Sequence, residues 1–281
     1  TDRTLTYAQL RTQVQLLATG LNQRGFKKGD VLALFCPNVP EYAVIFLGVA
    51  SMGGINTTVN SLYSTPELIH QLNDSGARFL ITIPQFLDRA IPAAQATGIE
   101  EIFVLGEAEG ATPFIELMQN DGNAPQVEIN PSKDLVALPY SSGTTGLSKG
   151  VMLTHENLIA NMVLTCEMNT LTDEDRMLGV LPFFHIYGMV LILNLAIYRG
   201  LTLVTMPRFD MQQFLELVQK HQITSLNLVP PLILGLAKQP IVDEYDLSSV
   251  RIIGSGAAPL GPELEKACGN RLQCDIYQGY G

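Results

Sequence analysis

Paired cysteines are absent from this chain. Its four cysteines, Cys36, Cys166, Cys268 and Cys274, form no Cys-x-x-Cys pair and have no histidine at metal-ligand spacing. A zinc ribbon or finger is therefore excluded, and the expectation is reduced core thiols in a cytoplasmic protein. A basic surplus is also lacking: 17 Lys and Arg stand against 27 Asp and Glu, for a net charge of −10. General binding to nucleic acid or anionic membranes needs a basic surface, so both are excluded and any anion site must be local. No charged segment leads into an apolar one at the start. The longest strongly apolar run, Met189 to Ile197, is interrupted by Asn194 and is too short to span a bilayer. With no repeat and no low-complexity tract, the expectation is a soluble protein without an integral membrane segment.

What is present is globular: 281 residues, 47% apolar and 16% charged, enough for one large or two ordinary domains. Strand-like and helix-like stretches alternate. Thr6-Tyr-Ala-Gln9 reads as a capping box, followed by Leu10, Val14, Leu17 and Leu21 at helical spacing and by Gly25 as a stop. Val31 to Cys36 reads as a buried strand, 40 to 52 as a helix, and Thr65-Pro66-Glu67 as the start of another helix ending at Gly76. Further strands are expected at 54–59, 78–83, 102–105, 135–140, 201–206, 225–229, 250–253 and 274–277. Runs of Val, Ile and Leu without polar alternation suit strands buried on both faces, so the predicted fold class is α/β with mostly parallel sheets between helices. The polar, Gly- and Pro-containing stretch from 106 to 133 reads as a connection. It divides a first lobe, 1–133, from a second, 134–281.

One segment carries chemistry. Tyr140-Ser-Ser-Gly-Thr-Thr-Gly-Leu-Ser-Lys-Gly150 follows an apolar strand and precedes a helix with Thr154 at its N-cap and Leu158, Met162 and Val163 at helical spacing. Gly143, Gly146 and Gly150 free the backbone to present N–H groups, Ser141, Ser142, Thr144 and Thr145 add hydroxyl donors, and Lys149 adds a positive charge. That composition also suits a linker, but a linker has no reason to sit between a buried strand and a capped helix. The Walker A pattern fails: Ser148 precedes the lysine where glycine is required, and Gly150 follows it where Ser or Thr is required.

The segment resembles the signature of the adenylate-forming superfamily of acyl- and aryl-CoA ligases, luciferases and peptide-synthetase adenylation domains. Leu181-Pro-Phe-Phe-His-Ile-Tyr-Gly188, Gly254-Ser-Gly-Ala-Ala-Pro-Leu-Gly261 and Gln278-Gly-Tyr-Gly281 resemble its later motifs, in the family's order. The nearest branch by these motifs is that of 4-coumarate:CoA ligases and fatty acyl-CoA ligases. The resemblance implies an ATP-dependent carboxylate:CoA ligase that forms an acyl-adenylate, releases pyrophosphate and uses ATP, Mg²⁺ and coenzyme A. Within it, Ser141, Ser142, Gly143, Thr144, Thr145, Gly146 and Lys149 would hold the β- and γ-phosphates, with Thr145 and Lys149 catalytic. His185 would orient the substrate carboxylate, although a lone histidine among aromatics is often just a packed imidazole. Gly256, Ala257, Ala258, Gln278, Gly279, Tyr280 and Gly281 would border the adenosine; Tyr280 equally suits a core aromatic, and 256–259 a tight turn. Tyr187, Leu191, Gly254, Ala257 and Gly279 would line the acyl pocket. No metal ligand is assigned.

Gly254 stands where many plant coumarate ligases have lysine, and Leu191 where a small polar residue is common. The acid could be a hydroxycinnamate, another aryl acid or a fatty acid. The chain starts at Thr1 and stops at Gly281 inside a motif that normally continues Met-Thr-Glu, so a truncated N-terminal domain with little turnover is expected. Two other readings stay open. One is a different adenylate-forming enzyme, luciferase-like or loading a carrier protein; the other is a non-catalytic nucleotide- or acyl-binding module. Oligomeric state is not readable.

Overall fold

The computed structural model describes residues 3–141, 148–168 and 171–279. Contacts divide the chain into two compact units, Thr1–Asn161 with Phe184–Ile186, and Met162–Phe183 with Tyr187–Gly281. The sequence suggested a division at 133/134. Residues 134–161 fall with the first unit, because the strands that flank the glycine-rich segment join the first unit's sheet.

The first unit begins with α1 (Tyr7–Gln23), whose capping box forms as expected: the Gln9 N–H donates to Thr6 Oγ1 at 3.2 Å and the Thr6 N–H to Gln9 Oε1 at 2.8 Å. It buries Leu10, Leu17, Ala18 and Leu21. β1 (Val31–Phe35) is buried at all five positions, as a strand covered on both faces should be. There follow α2 (Glu41–Ser51), β2 (Ile55–Thr58), α3 (Thr65–Ser75), β3 (Ala77–Thr82), α4 (Leu87–Gln95), β4 (Glu101–Val104) and β5 (Thr112–Pro113). Gly76 ends α3 in the left-handed region at φ 65°. The chain continues through β6 (Leu135–Ala137), β7 (Tyr140–Ser141), β8 (Lys149–Gly150) and β9 (Leu153–Thr154) into α5 (His155–Met168).

Among the described residues, seven strands form one sheet in the order β5-β4-β3-β1-β2-β6-β9. Every pairing is parallel except β6 with β9. Ala33, Phe35, Val59, Leu68, Leu72, Leu80, Ala90 and Val104 pack as one core on it. The stretch from 106 to 133 is more ordered than its composition suggested. It contributes β5 and a 3₁₀ turn, Phe114–Met118, that buries Phe114 and Leu117.

The second unit holds β10 (Arg176–Gly179), which the sequence reading passed over. After α6 (Ile186–Gly188), the apolar run winds as a π-helix over Met189–Asn194 into α7 (Leu195–Arg199). Asn194, the residue that interrupts that run, donates from Nδ2 to the Met189 carbonyl at 2.9 Å, which suits the wider turn. Then come β11 (Thr202–Thr205), α8 (Met211–His221), β12 (Ser225–Leu228), α9 (Pro230–Lys238), β13 (Ile252–Ser255), α10 (Pro262–Leu272) and β14 (Asp275–Gln278). The strands form a parallel sheet in the order β11-β10-β12-β13-β14. Such parallel strands point their C-terminal ends the same way, where α/β folds carry binding sites. Among the described residues no helix is long and apolar enough to cross a membrane.

Candidate active site

In the first unit, the two ends of the glycine-rich segment lie side by side. β7 and β8 pair antiparallel, Tyr140 opposite Gly150 and Ser141 opposite Lys149. The Val151 N–H donates to the Pro139 carbonyl at 2.9 Å just beyond this pair. The side chains of Ser141 and Lys149 reach solvent. Ser142, Gly143, Thr144, Thr145 and Gly146, expected to contact phosphate, lie outside the described residues.

Helix α3 holds both ends of that segment. The Tyr140 hydroxyl donates to Asp74 Oδ2 at 2.6 Å, and the His70 ring meets Tyr140 edge-on with centroids 6.5 Å apart. His70 Nε2 lies 3.0 Å from the Ser148 carbonyl, to which it can donate, and the Tyr63 hydroxyl donates to Ser148 Oγ at 3.3 Å. Burial, followed by the negative Asp74, pushes the Tyr140 phenol well above its usual pKa, so it remains a donor at any physiological pH. None of His70, Tyr63 and Asp74 belongs to a motif singled out from the sequence. His70 and Asp74 are four residues apart on a helix and share one face. That polar pair, beside the buried Leu68 and Leu72, was the available signal.

His185 belongs to the same unit. Its preceding carbonyl, Phe184 O, accepts a hydrogen bond from Thr58 Oγ1 at 2.8 Å. The residue is exposed, yet the packing around its ring disfavours the imidazolium and lowers the pKa from the ordinary histidine value. The ring is therefore neutral at neutral pH and can offer one N–H donor to a carboxylate.

In the second unit, Tyr187, Gly254 and Gly256 come together around the end of β13. The Tyr187 hydroxyl donates to the Gly254 carbonyl at 3.3 Å. A Cβ on Gly254 would fall 2.6 Å from Tyr277 Oη and 2.9 Å from Asn227 Oδ1; one on Gly256 would fall 2.7 Å from Tyr187 Cε1. Two tyrosine rings thus close against bare backbone, and no lysine could stand at 254 with Tyr277 where it is. Burial raises the Tyr187 pKa well above its ordinary value. Ala257 follows with φ +69°, a left-handed conformation uncommon for a side-chain-bearing residue, and Ala258 is exposed beside it.

Gly279 donates its N–H to the Ser255 carbonyl at 2.9 Å, which brings the 254–258 and 278–279 segments alongside each other. Gln278 is occupied within the protein: Oε1 accepts from the Leu260 N–H at 2.9 Å, and Nε2 donates to the Leu260 carbonyl and to Glu265. Leu191 sits partly buried in the π-helix. Tyr280 and Gly281 lie outside the described residues. Tyr277 and Asn227, which fill the space over Gly254, were missed because their strand positions read only as sheet residues. Among the described residues no three His, Cys, Asp or Glu side chains are grouped to hold a metal ion.

The profile of the family described as "AMP-binding enzyme" matches residues 1–281. The 4-coumarate–CoA ligase 1 of Petroselinum crispum is 42% identical, over 100% of this chain and 53% of that protein. The chain spans about half the length of the curated relatives it matches. Among solved structures, a long-chain-fatty-acid–CoA ligase from Archaeoglobus fulgidus superposes with a TM-score of 0.91 at 28% identity, covering 98% of this chain and 57% of that one. An anthranilate CoA ligase in complex with anthranoyl-AMP gives 0.92 at 26% identity, covering 100% and 55%. The α/β fold, with its mostly parallel sheets, is that of the N-terminal part of adenylate-forming enzymes, and the chain belongs to the AMP-binding enzyme family.

Proposed function

We propose that the intact protein is an ATP-dependent carboxylate:CoA ligase of the 4-coumarate-ligase type. A carboxylate oxygen attacks the α-phosphorus of ATP and expels pyrophosphate; the CoA sulfur then attacks the acyl carbonyl and expels AMP. The observation that carries this reading is the β7–β8 pair, which brings Ser141 and Lys149 together at the mouth of a segment rich in hydroxyls and glycines. Lys149, with Ser142, Gly143, Thr144, Thr145 and Gly146, supplies donors to the β- and γ-phosphates and to the leaving pyrophosphate. The neutral His185 donates to the substrate carboxylate and holds one oxygen toward phosphorus. Gly256, Ala257, Ala258, Gly279, Tyr280 and Gly281 border the adenosine.

The acyl group rests against Tyr187, Gly254 and Ala257, a wall of aromatic rings and small residues with a phenol at its edge. It suits a planar aryl acid such as a hydroxycinnamate; a fatty acyl chain is the competing occupant. The cytoplasm is the matching compartment, because all four cysteines are free thiols. Because the 281-residue chain spans about half of its relatives, we assign turnover to the intact protein and little or none to this chain alone.

Carboxylate-dependent ATP–pyrophosphate exchange, with 4-coumarate and with octanoate, tests the reading. Exchange with either supports it, and the acid with the higher kcat/KM names the substrate class; exchange with neither overturns it.

A further inference from the structure

A second set of contacts links the glycine-rich segment to the histidine motif through residues that no motif contains. β2 ends in three consecutive buried polar residues, Asn56, Thr57 and Thr58, each no more than 2% exposed. A strand covered on both faces has no need of them for packing. Thr57 Oγ1 donates to the Leu138 carbonyl at 3.1 Å, two residues before Tyr140, and Thr58 Oγ1 donates to the Phe184 carbonyl, next to His185, at 2.8 Å. Gln71 of α3, fully buried, crosses to both: its Nε2 donates to Thr57 Oγ1 at 2.8 Å and to the Thr58 carbonyl at 3.1 Å.

The arrangement is costly as a stabilising device. Among the described residues, Gln71 Oε1 and Asn56 Oδ1 are buried with no hydrogen-bond partner, and a buried polar atom left unpaired asks for an explanation other than stability. The same helix reaches the Ser148 carbonyl with His70 and the Tyr140 hydroxyl with Asp74. One rigid element therefore touches both ends of the glycine-rich segment and, through Thr58, the backbone that carries His185.

We propose that α3 and the end of β2 form a splint in which Gln71 and Thr58 are positioning residues. They set the spacing between the phosphate-holding segment and the imidazole that orients the carboxylate. The inference rests on the ligase reading above. Adenylation needs the two anions aligned for in-line attack, and a misplacement near 1 Å costs on the order of a hundredfold in rate. Thioester formation from an acyl-adenylate already made has no such need of the β- and γ-phosphate contacts.

The test compares wild type, Thr58→Val, Thr58→Ser and Gln71→Met in the intact protein. Two half-reactions are followed separately: ATP–pyrophosphate exchange with 4-coumarate or octanoate, and thioester formation from the corresponding acyl-AMP supplied with CoA. Thr58→Val and Gln71→Met should lower kcat for exchange on the order of a hundredfold, with KM for ATP little changed. They should leave thioester formation from supplied acyl-AMP near wild type. Thr58→Ser, which keeps the hydroxyl, should restore exchange. Wild-type exchange in both variants overturns the proposal, and so does an equal loss in both half-reactions accompanied by a fall in melting temperature. Absence of exchange in the wild type with both acids overturns the ligase reading, and the splint with it.

Discussion

The Tyr277 hydroxyl stands 2.6 Å from the point where a side chain at Gly254 would begin. The ring carbon behind it is at 2.7 Å and Asn227 Oδ1 at 2.9 Å, so even a methyl group must displace a packed ring. Gly254→Ala should lower stability by about 2 kcal/mol, within the usual range for overpacking. It should also weaken binding of a 4-coumaroyl-adenylate mimic. Urea denaturation and calorimetric titration measure the two effects. Adding Tyr277→Phe should recover part of the loss, because it removes the nearest atom; an unchanged urea midpoint in the single variant would disprove the contact.

Lys149 and Thr145 are expected to work on the departing pyrophosphate. Lys149→Ala and Thr145→Val in the intact protein should each slow adenylation on the order of a hundredfold, comparable to the loss of one preorganised donor. Rapid-quench measurement of acyl-AMP formation gives the rate. Wild-type rates in both would remove the segment from the chemistry.

Packing lowers the pKa of His185, and the sign of the consequence follows from linkage. Above about pH 6.5, the ordinary imidazole value, both folded and unfolded chains are neutral at this position and it adds no pH dependence. As the pH falls below that value, the unfolded chain gains a proton that the folded one resists, so stability drops until the folded pKa is passed. His185→Gln should make the wild-type decline shallower in this window without abolishing it, because His155 is lowered by burial as well. Melting temperatures from pH 7.5 to 5 are the measurement; parallel curves for the two proteins would contradict the assignment.

Gly20 offers a contest between two effects. Alanine is the better helix former by about 1 kcal/mol, which favours substitution inside α1. A Cβ there, however, would fall 2.0 Å from the Leu117 carbonyl oxygen, which is backbone and cannot rotate away. Overpacking costs up to about 3 kcal/mol and sometimes more, so it should win. Gly20→Ala should therefore melt below wild type, and a higher melting temperature would show that the 3₁₀ turn yields.

Local chemistry was legible in the sequence wherever neighbours along the chain decide the outcome. The Thr6–Gln9 box, the Gly76 stop and the five buried positions of β1 are all of this kind, and they were enough to indicate a parallel α/β fold. The motif residues Tyr187, Gly254 and Gly256 were singled out by the family resemblance, and they lie together around the end of β13. β10 was hidden because Arg176–Gly179 is short and runs straight into the histidine motif. The polar partners were hidden for another reason. Gln71 in α3 and Thr57 and Thr58 in β2 look like ordinary residues of a helix and a strand. Their meaning lies in carbonyls at Leu138 and Phe184, which no local pattern brings near them. His70 likewise gained its role only when Ser148 arrived beside it.

The Thr58–Phe184 hydrogen bond joins residues 126 positions apart. Long-range closures of this kind form slowly, because chain entropy is lost before the contact repays it. During synthesis, β2 leaves the ribosome well before Phe184 exists, and the Thr58 hydroxyl must wait for that acceptor, although the partners of Asn56 and Thr57 are made before it. The first unit is therefore complete only once the chain has left it, built Met162–Phe183, and returned for three residues. A nascent chain stalled before Phe184 would carry the glycine-rich segment with the Thr58 contact still open, so completion of the first unit would be a late event in the protein's own biosynthesis.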